Sequence, residues 1–432
     1  MSCYIIEGGR KLEGEVKISG SKNASLPIIA ATILNKGTTK LYNVPNIHDT
    51  QITLKILKYL GCEVKINKGK IEINSKNISK KEIPENLMNQ MRSTVVLAGA
   101  ILGRFKEVKF SYPGGCDIGA RPIDLHLKSF KKLGVNITEN AGFIVCKCDR
   151  IIGANIDLDF PSVGATENII LASIYAEGTT RITNAAMEPE IVDLAECLNK
   201  MGAKIEGAGT NIITIKGIEK LKNISYNIMQ DRIEAGTFLC AGAITGGNIC
   251  LNYRTPEHIS PIINKLEEAG CDVLIKNKKV YLFSPKKLKA VDIKTMPYPG
   301  FPTDMQSIFA TTLTLAKGTS IIVENIFENR YRYAPELKKI GAKINVEGKT
   351  AIIKGTRKLS AANVKSTDLR GGAALVLAGL AAKGITKIND IEYILRGYEE
   401  FDKKLRKLRC KNRKRKIVLS MEWEYAKEKQ KW

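Results

Sequence analysis

The chain has 432 residues, of which 44% are apolar and 26% charged, so it is too long for one hydrophobic core and predicts at least two domains. It shows no signal-peptide pattern and no apolar run of membrane-spanning length, which predicts a cytoplasmic protein with no membrane partner. The ten scattered cysteines and three histidines form no metal-ligand pattern, so we expect free thiols, no metal and no histidine-based triad.

The net charge of +24 is unevenly distributed. Residues 401–432 contain 13 Lys and Arg against 4 Asp and Glu, and the remaining excess is spread along the chain. A lysine-rich surface together with an anionic small-molecule substrate explains this distribution. A nucleic-acid-binding protein driven by the basic C-terminus is the alternative that we rank lower.

A sixfold repeat organises the chain. Strands rich in β-branched residues follow a helix end and, in most copies, a glycine, at 35–43, 103–110, 177–184, 244–252, 316–325 and 382–390. A second helix then ends in a glycine, and these glycines recur roughly every 70 residues, at Gly61, Gly134, Gly202, Gly270 and Gly341. Each is followed by an alternating pattern that predicts a β-hairpin.

The helices that precede the repeated strands are apolar on nearly every face, as in LPIIAATIL at 26–34 and AALVLAGLAA at 373–382. A helix of this kind is buried. The repeat therefore predicts an α/β fold of two inside-out α/β domains, each of three repeated units with buried helices and outer sheets.

The sixth copy departs from the pattern. Arg409 occupies the place of the repeated glycine, and residues 411–432 show no alternating hairpin. We expect 409–432 to be a divergent basic tail that lacks the usual closing strands, which would leave the last unit incomplete. A functional basic extension is the alternative.

The stretch SYPGGCDIGARP at 111–122 is a predicted loop, because its prolines and glycines disfavour regular structure. It carries the thiol of Cys116, and a nearby guanidinium such as that of Arg121 would favour the thiolate. A surface turn with an ordinary small residue is the alternative.

Charged residues also mark the predicted starts of buried helices. Lys22 and Asn23 can bind an anion together with backbone N–H groups, or can simply be a capped and solvated helix start. Three arginines lie at positions that the helix dipole disfavours and that suit a phosphate or a carboxylate: Arg92, Arg370 and Arg396.

Asp304 opens another buried helix, beside Phe301 and Met305. Partial burial there is expected to raise the pKa of this carboxyl towards use as a general base. A helix N-cap is the alternative role.

Eight motifs together resemble the UDP-N-acetylglucosamine 1-carboxyvinyltransferase family of enolpyruvyl transferases: SGSKNA at 19–24, PGGCDIGARPIDLH at 113–126, SVGAT at 162–166, EPEIVDLA at 188–195, DRIEAGTF at 231–238, YPGFPTDMQ at 298–306, TDLR at 367–370 and RGYE at 396–399. The resemblance extends to about residue 408. It differs from the shikimate-pathway enolpyruvyl transferase, which lacks the cysteine loop.

The resemblance implies one domain at 21–230, a second formed by 1–20 plus 231–408, a tail at 409–432, and a substrate cleft between the domains. It implies transfer of the enolpyruvyl group of phosphoenolpyruvate to the 3-hydroxyl of UDP-N-acetylglucosamine with release of phosphate. This is the first committed step of peptidoglycan precursor synthesis, and hence of cell wall formation, cell shape and cell division. No cofactor or metal is implied.

Residue roles are likewise implied by the resemblance. Asp304 would take the proton of the sugar hydroxyl. Lys22, Arg121 and Arg396 would neutralise phosphoenolpyruvate, with Arg370 and Arg92 in support. Cys116 would protonate the methylene carbon, form a covalent adduct and be alkylated by fosfomycin, on a loop that closes as a lid. The substrate-binding residues would be Lys22, Asn23, Arg92, Arg121, Pro122, Ile123, Asp124, Leu125, Ser162, Val163, Gly164, Asp304, Ile326, Arg370 and Arg396.

Two positions depart from the pattern of some family members. Phe160 stands near a place where some carry a lysine, and Leu395 where some carry an aspartate, which puts one phosphate contact in doubt. An inactive paralogue that binds the sugar nucleotide without turnover is a second functional hypothesis. The sequence leaves oligomeric state and regulation open.

Overall fold

Strands form where apolar and β-branched residues alternate between turn residues. The computed structural model describes residues 2–67, 69–114, 118–119, 122–408 and 419–423. Within these residues the strands are β1 (Ser2–Glu7), β2 (Glu13–Lys17), β3 (Thr38–Tyr42), β4 (Glu63–Asn67), β5 (Lys70–Asn74), β6 (Glu107–Ser111), β7 (Asn136–Asn140), β8 (Phe143–Lys147), β9 (Asn155–Asp157), β10 (Thr179–Thr183), β11 (Lys204–Glu206), β12 (Ile212–Lys216), β13 (Ile224–Asn227), β14 (Asn248–Asn252), β15 (Asp272–Lys276), β16 (Lys279–Phe283), β17 (Ile293–Lys294), β18 (Thr319–Val323), β19 (Lys343–Glu347), β20 (Thr350–Lys354), β21 (Asn363–Lys365), β22 (Ile385–Asn389) and β23 (Leu419–Trp423).

Helices alternate with these strands along the chain. They are α1 (Lys22–Ala31), α2 (His48–Leu60), α3 (Glu85–Met88), α4 (Val96–Phe105), α5 (Asp124–Lys132), α6 (Val163–Ser173), α7 (Pro189–Met201), α8 (Arg232–Thr245), α9 (Ser260–Glu268), α10 (Gln306–Leu313), α11 (Ala334–Lys339), α12 (Leu369–Ala381), α13 (Glu392–Leu395) and α14 (Phe401–Lys407). Short 3-10 helices occur at Arg92–Val95, Pro256–Ile259 and Thr303–Met305. No helix within the described ranges is long and apolar enough to cross a membrane.

Six small sheets repeat one arrangement. An edge strand runs parallel to the repeated strand, which pairs antiparallel with the second strand of a hairpin. This order is seen in β13-β3-β5-β4, β9-β10-β12-β11, β2-β14-β16-β15 and β17-β18-β20-β19. In the sheet β6-β8-β7 the parallel neighbour is reduced to a bridge between Glu82 and Lys109.

Two hydrophobic cores lie beneath the sheets. The first core contains buried residues between 24 and 228, and the second contains residues from 4–18 and 233–408. The helices α1, α4 and α6 lie within the first core, and α8, α10 and α12 lie within the second. This confirms the predicted fold class of two inside-out α/β domains, while the boundaries at 21–230, 1–20 and 231–408 stay predictions.

The chain passes between the cores twice, and the two crossovers lie side by side. Ser21 N donates to Met229 O at 2.8 Å, and Asp231 N donates to Ser19 O at 2.9 Å. Each crossover leads directly into a buried helix, because the Ser21 side chain caps α1 and the Asp231 side chain caps α8. The N-termini of α1 and α8 therefore lie at the boundary between the two cores.

The expectation that the tail lacks closing strands is wrong. In the sixth sheet, β21-β22-β1-β23, the N-terminal strand β1 takes the hairpin position beside β22, and β23 pairs antiparallel with β1. The register runs from Ser2 opposite Trp423 to Ile6 opposite Leu419. Because β1 comes from the other end of the chain, this sheet needs no hairpin after α14. Residues 409–418 and 424–432 lie outside the described residues.

Candidate active site

Asp49 joins two of the predicted cations at the boundary between the cores. Lys22 Nζ lies 2.8 Å from Asp49 Oδ2, and Arg396 Nε lies 2.9 Å from Asp49 Oδ1. The Asp49 side chain, in the first turn of α2, is only 1% exposed. Burial opposes ionisation of this carboxyl, but the two cations outweigh it and lower the pKa of Asp49. The arrangement fixes one cation from each core at a single point.

The sequence analysis placed Arg396 at the start of a helix, and this prediction is wrong. Arg396 follows the C-terminal end of α13. The carbonyl end of a helix favours a cation, so the dipole argument does not apply to this residue. The prediction holds for the other two arginines, since Arg92 opens a 3-10 helix and Arg370 lies in the first turn of α12.

Asp304 is held by two guanidinium groups. Arg330 Nη2 lies 2.7 Å from Asp304 Oδ1, while Arg370 Nη2 and Nε lie 2.9 and 3.2 Å from Asp304 Oδ2. The expectation that burial raises the pKa of Asp304 is wrong. Burial opposes ionisation here as well, but Arg370 and Arg330 outweigh it and hold the pKa of this carboxyl well below its usual range. In this arrangement the carboxylate is a weak base.

Arg370 has one nitrogen, Nη1, that donates to no acceptor within the described ranges. Its side chain is 2% exposed and its guanidinium lies 5.2 Å from the centre of the Tyr398 ring. Its Nη1 is buried and makes no hydrogen bond with any residue that the structure describes. A buried N–H group without an acceptor is costly, so this atom is suited to an anion that enters the site.

Cys116 and Arg121 lie outside the described residues, and the predicted lid can be followed only at its flanks. Arg92 Nη1 lies 3.5 Å from Pro113 O, at the near end of the loop. Further on, Ile118 O accepts a hydrogen bond of 3.0 Å from Asn329 N. The described part of the loop therefore joins the first core to the turn after β18 in the second.

The predicted sugar-nucleotide residues form two groups. Pro122, Ile123, Asp124 and Leu125 enter α5, while Ser162, Val163 and Gly164 open α6. The two helix starts are close, since a Cβ placed on Gly164 would lie 3.2 Å from His126 Cε1. Asn23 is partly exposed at the start of α1.

Ile326 lies apart in sequence but is connected to Asp304. Its backbone N donates to Glu324 Oε1 at 2.9 Å, and the same carboxylate accepts a hydrogen bond of 3.1 Å from the hydroxyl of Thr303. The structure thus places the turn at 324–327 beside the turn that carries Asp304.

The site offers cations and hydrogen-bond donors instead of metal ligands. Within the described ranges, no group of three or more His, Cys, Asp and Glu side chains could hold a metal ion. Fixed guanidinium and ammonium groups can bind anionic oxygens of a substrate directly.

The family model described as EPSP synthase (3-phosphoshikimate 1-carboxyvinyltransferase) matches residues 6–405. The chain belongs to the EPSP synthase family of enolpyruvyl transferases. Two similar members of this family are UDP-N-acetylglucosamine 1-carboxyvinyltransferase 2 of Caldanaerobacter subterraneus subsp. tengcongensis, 50% identical over 407 residues (94% of this chain, 98% of the relative), and the UDP-N-acetylglucosamine 1-carboxyvinyltransferase of Clostridium botulinum, 48% identical over 410 residues (94% and 98%).

Solved structures of enolpyruvyl transferases share this fold. The enolpyruvyl transferase NikO from Streptomyces tendae matches with a TM-score of 0.87 at 23% identity and covers 98% of this chain and 99% of its own. EPSP synthase from Acinetobacter baumannii matches with a TM-score of 0.75 at 18% identity, over 98% and 100%.

Three functional candidates escaped the sequence analysis: Asp49, Glu324 and Arg330. Asp49 follows a helix start and has the pattern of an ordinary first-turn acid. The other two lie in or beside the turn after β18, where nothing local distinguishes them from surface charges. Only their partners from distant segments reveal their place in the site.

Proposed function

We propose that the protein transfers the enolpyruvyl group of phosphoenolpyruvate to the 3-hydroxyl of UDP-N-acetylglucosamine and releases phosphate, in the cytoplasm, as the first committed step of peptidoglycan precursor synthesis. One structural observation carries the proposal: two carboxylates, the buried Asp49 and the partly buried Asp304, each hold two cations at the boundary between the cores. The names of relatives at 48–50% identity supply the sugar nucleotide.

The cations suit a substrate with two anionic groups. Phosphoenolpyruvate carries a phosphate and a carboxylate, and guanidinium groups bind both in bidentate fashion. Lys22, Arg121 and Arg396 take these groups in the proposal, with Arg370 and Arg92 in support. Fixed charges act most strongly where water is excluded, so they also stabilise the negative charge that shifts to the departing phosphate.

Asp304 must change its contacts to act as the base. An anion that binds the free Nη1 of Arg370 draws that guanidinium partly away from the carboxylate. The pKa of Asp304 then rises, and the carboxylate can accept the proton of the 3-hydroxyl group. The substrate thereby creates the base that it needs.

Cys116 is the proposed proton donor to the methylene carbon of phosphoenolpyruvate. The same thiol would form a covalent adduct with the substrate and would be the residue that fosfomycin alkylates. The loop 111–122 would close over the site once the sugar nucleotide has bound. The proposed domains are 21–230 and 1–20 plus 231–408, with the sugar nucleotide along the starts of α5 and α6.

Phosphate release from phosphoenolpyruvate tests the function. We expect release with UDP-N-acetylglucosamine and none when it is omitted or replaced by 3-phosphoshikimate. A well-folded protein that binds the sugar nucleotide but releases no phosphate would be an inactive paralogue and would refute the proposal.

The Cys116→Ser variant tests the proposed thiol. It should lose turnover and become insensitive to fosfomycin, because serine is a much weaker acid and nucleophile. Cys148→Ser, on a partly exposed cysteine elsewhere, is the matched control. Unchanged fosfomycin inhibition of Cys116→Ser would refute the role of the thiol.

A further inference from the structure

Glu324 is a buried carboxylate that pairs with no cation among the residues that the structure describes. Its residue is 1% exposed, and no Lys or Arg that the structure describes lies within ion-pairing distance. Removing a charge from water in this way is costly unless hydrogen bonds compensate. The position of Glu324 therefore calls for a structural explanation.

Neutral donors from three segments compensate the charge. Glu324 Oε1 accepts from the Thr295 hydroxyl at 2.9 Å, from Ile326 N at 2.9 Å and from Phe327 N at 3.2 Å. The Thr303 hydroxyl lies 3.1 Å from both carboxylate oxygens. One side chain thus connects the end of β17, the turn that carries Asp304 and the turn after β18.

The hydrogen bonds of Glu324 hold the residue directly before Asp304. Thr303 precedes Asp304, and Arg330 donates to Thr303 O at 3.2 Å as well as to the Asp304 carboxylate at 2.7 Å. If the Thr303 hydroxyl loses its acceptor, the turn that carries Asp304 keeps its contacts with Arg330 and Arg370 but is no longer held through Glu324.

We infer that Glu324 is a positioning residue that fixes Asp304 relative to the sugar-nucleotide turn at 324–327, acting through the Thr303 hydroxyl. The inference rests on the proposed function, in which Asp304 is the base. Proton transfer depends steeply on distance, so a turn displaced by about 1 Å is expected to lower turnover by up to about 100-fold.

The test compares Thr303, which is partly exposed, with Thr319, which is exposed. Thr303→Val removes the hydroxyl with little change in shape, Thr303→Ser keeps it, and Thr319→Val on β18 is the matched control. We expect kcat to fall about 30-fold in Thr303→Val, with KM for phosphoenolpyruvate changed less than about threefold. Thr303→Ser should recover to within about threefold of the wild type.

The pH profile separates positioning from general loss of structure. A loosened turn weakens the contact of Asp304 with Arg330, so the acidic limb of kcat should move to higher pH in Thr303→Val only. Glu324→Gln should be milder than Thr303→Val, because its amide oxygen can still accept from the backbone donors. A Thr303→Val variant that matches Thr319→Val in kcat and pH profile, or a Thr303→Ser that is equally impaired, would overturn the inference.

Failure of the proposed function is recognised separately. If the wild type binds UDP-N-acetylglucosamine but releases no phosphate, the positioning role is judged from calorimetric binding. Thr303→Val should then bind the sugar nucleotide about tenfold more weakly than Thr319→Val. Equal binding would overturn the inference, and absence of both turnover and binding in folded wild type would overturn it together with the proposed function.

Discussion

Two groups of buried and partly buried charged residues lie between the cores, and cations outnumber carboxyl groups in only one of them. The cationic site has four cations and two carboxylates: Lys22, Arg330, Arg370, Arg396, Asp49 and Asp304. The acidic interface has one cation and three carboxyl groups: Arg232, Glu167, Glu188 and Glu190.

The pKa shifts in the two groups have opposite signs. Two cations lower the pKa of each carboxyl in the cationic site. In the acidic interface, burial raises the pKa values of Glu167 and Glu188, because Arg232 pairs with Glu190 at 2.9 Å. Burial opposes ionisation in both places, so the number of fixed cations decides the sign. The cationic site is suited to anionic substrates, whereas burial makes Glu167 and Glu188 of the acidic interface harder to ionise.

Replacing Asp304 should have the largest effect. Asp304→Asn keeps the shape but removes the proposed base and leaves Arg330 and Arg370 without their carboxylate. We expect turnover to fall about 1000-fold, measured by phosphate release, with the melting temperature more responsive to added phosphate than in the wild type. Asp272→Asn on the exposed strand β15 is the control. An Asp304→Asn variant with a tenth of wild-type turnover would break the assignment of the base.

Asp49→Asn should have the second-largest effect on catalysis. It removes the charge that Lys22 and Arg396 share, so both are held less firmly and kcat/KM for phosphoenolpyruvate should fall about 30-fold. Steady-state kinetics at several salt concentrations measure this, with the exposed Asp149→Asn as control. Unchanged kinetics would mean that the two cations need no bridging carboxylate.

Glu234 extends this comparison to a carboxyl that has a single cationic partner, Lys404, in the part of the chain that the structure describes. Burial outweighs that single partner and raises the pKa of Glu234 from 4.5 to about 7. A raised pKa gives a stabilising contribution that is complete below pH 4.5 and is lost as the pH rises towards about 7. Glu234→Gln should therefore remove up to about 1.4 kcal/mol per pH unit from the slope of the unfolding free energy across this window.

Urea unfolding at a series of pH values measures that slope. The control is Glu206→Gln, because Glu206 is an exposed glutamate at the end of β11. The same slope in Glu234→Gln and wild type would show that the group titrates normally when folded.

Removing the tail should have the smallest effect. Deletion of residues 409–432 removes β23 from the edge of β1, which should lower the unfolding free energy by about 1 kcal/mol. Turnover should stay within about twofold of the wild type, because β23 is the edge strand of its sheet and contains neither Asp49 nor Asp304. Chemical unfolding and phosphate release test the two halves, and a large loss of turnover would connect the tail to the site.

The sequence predicts much of the fold because the repeat is local. In each unit an apolar run predicts the buried helix, and in most units a glycine precedes the repeated strand. The inside-out arrangement can be deduced from these two patterns. The sixth sheet cannot, because β1 and β22 are separated by almost the whole chain. No local pattern indicates that the N-terminus replaces a missing hairpin strand.

The site is less predictable for the same physical reason. Lys22, Asp304, Arg370 and Arg396 stand out as charges beside apolar helices, and the structure brings them to one boundary. Their carboxylate and guanidinium partners come from distant segments, so Asp49, Arg330 and Glu324 carry no local signal. The predicted direction of the Asp304 pKa shift is wrong, because the direction depends on how many cations contact the carboxylate. The sequence does not reveal that number.

The most direct test of the account is the titration of the Asp304 carboxyl, followed by NMR of ¹³C-labelled aspartate and assigned with Asp304→Asn. In the free protein we predict an ionised carboxylate throughout the accessible acidic range, since Arg330 and Arg370 hold its pKa low. With UDP-N-acetylglucosamine and phosphate bound, its pKa should rise, because the bound anion draws on Arg370. An Asp304 pKa that is already raised in the free protein, or that stays unchanged on binding, would contradict the account.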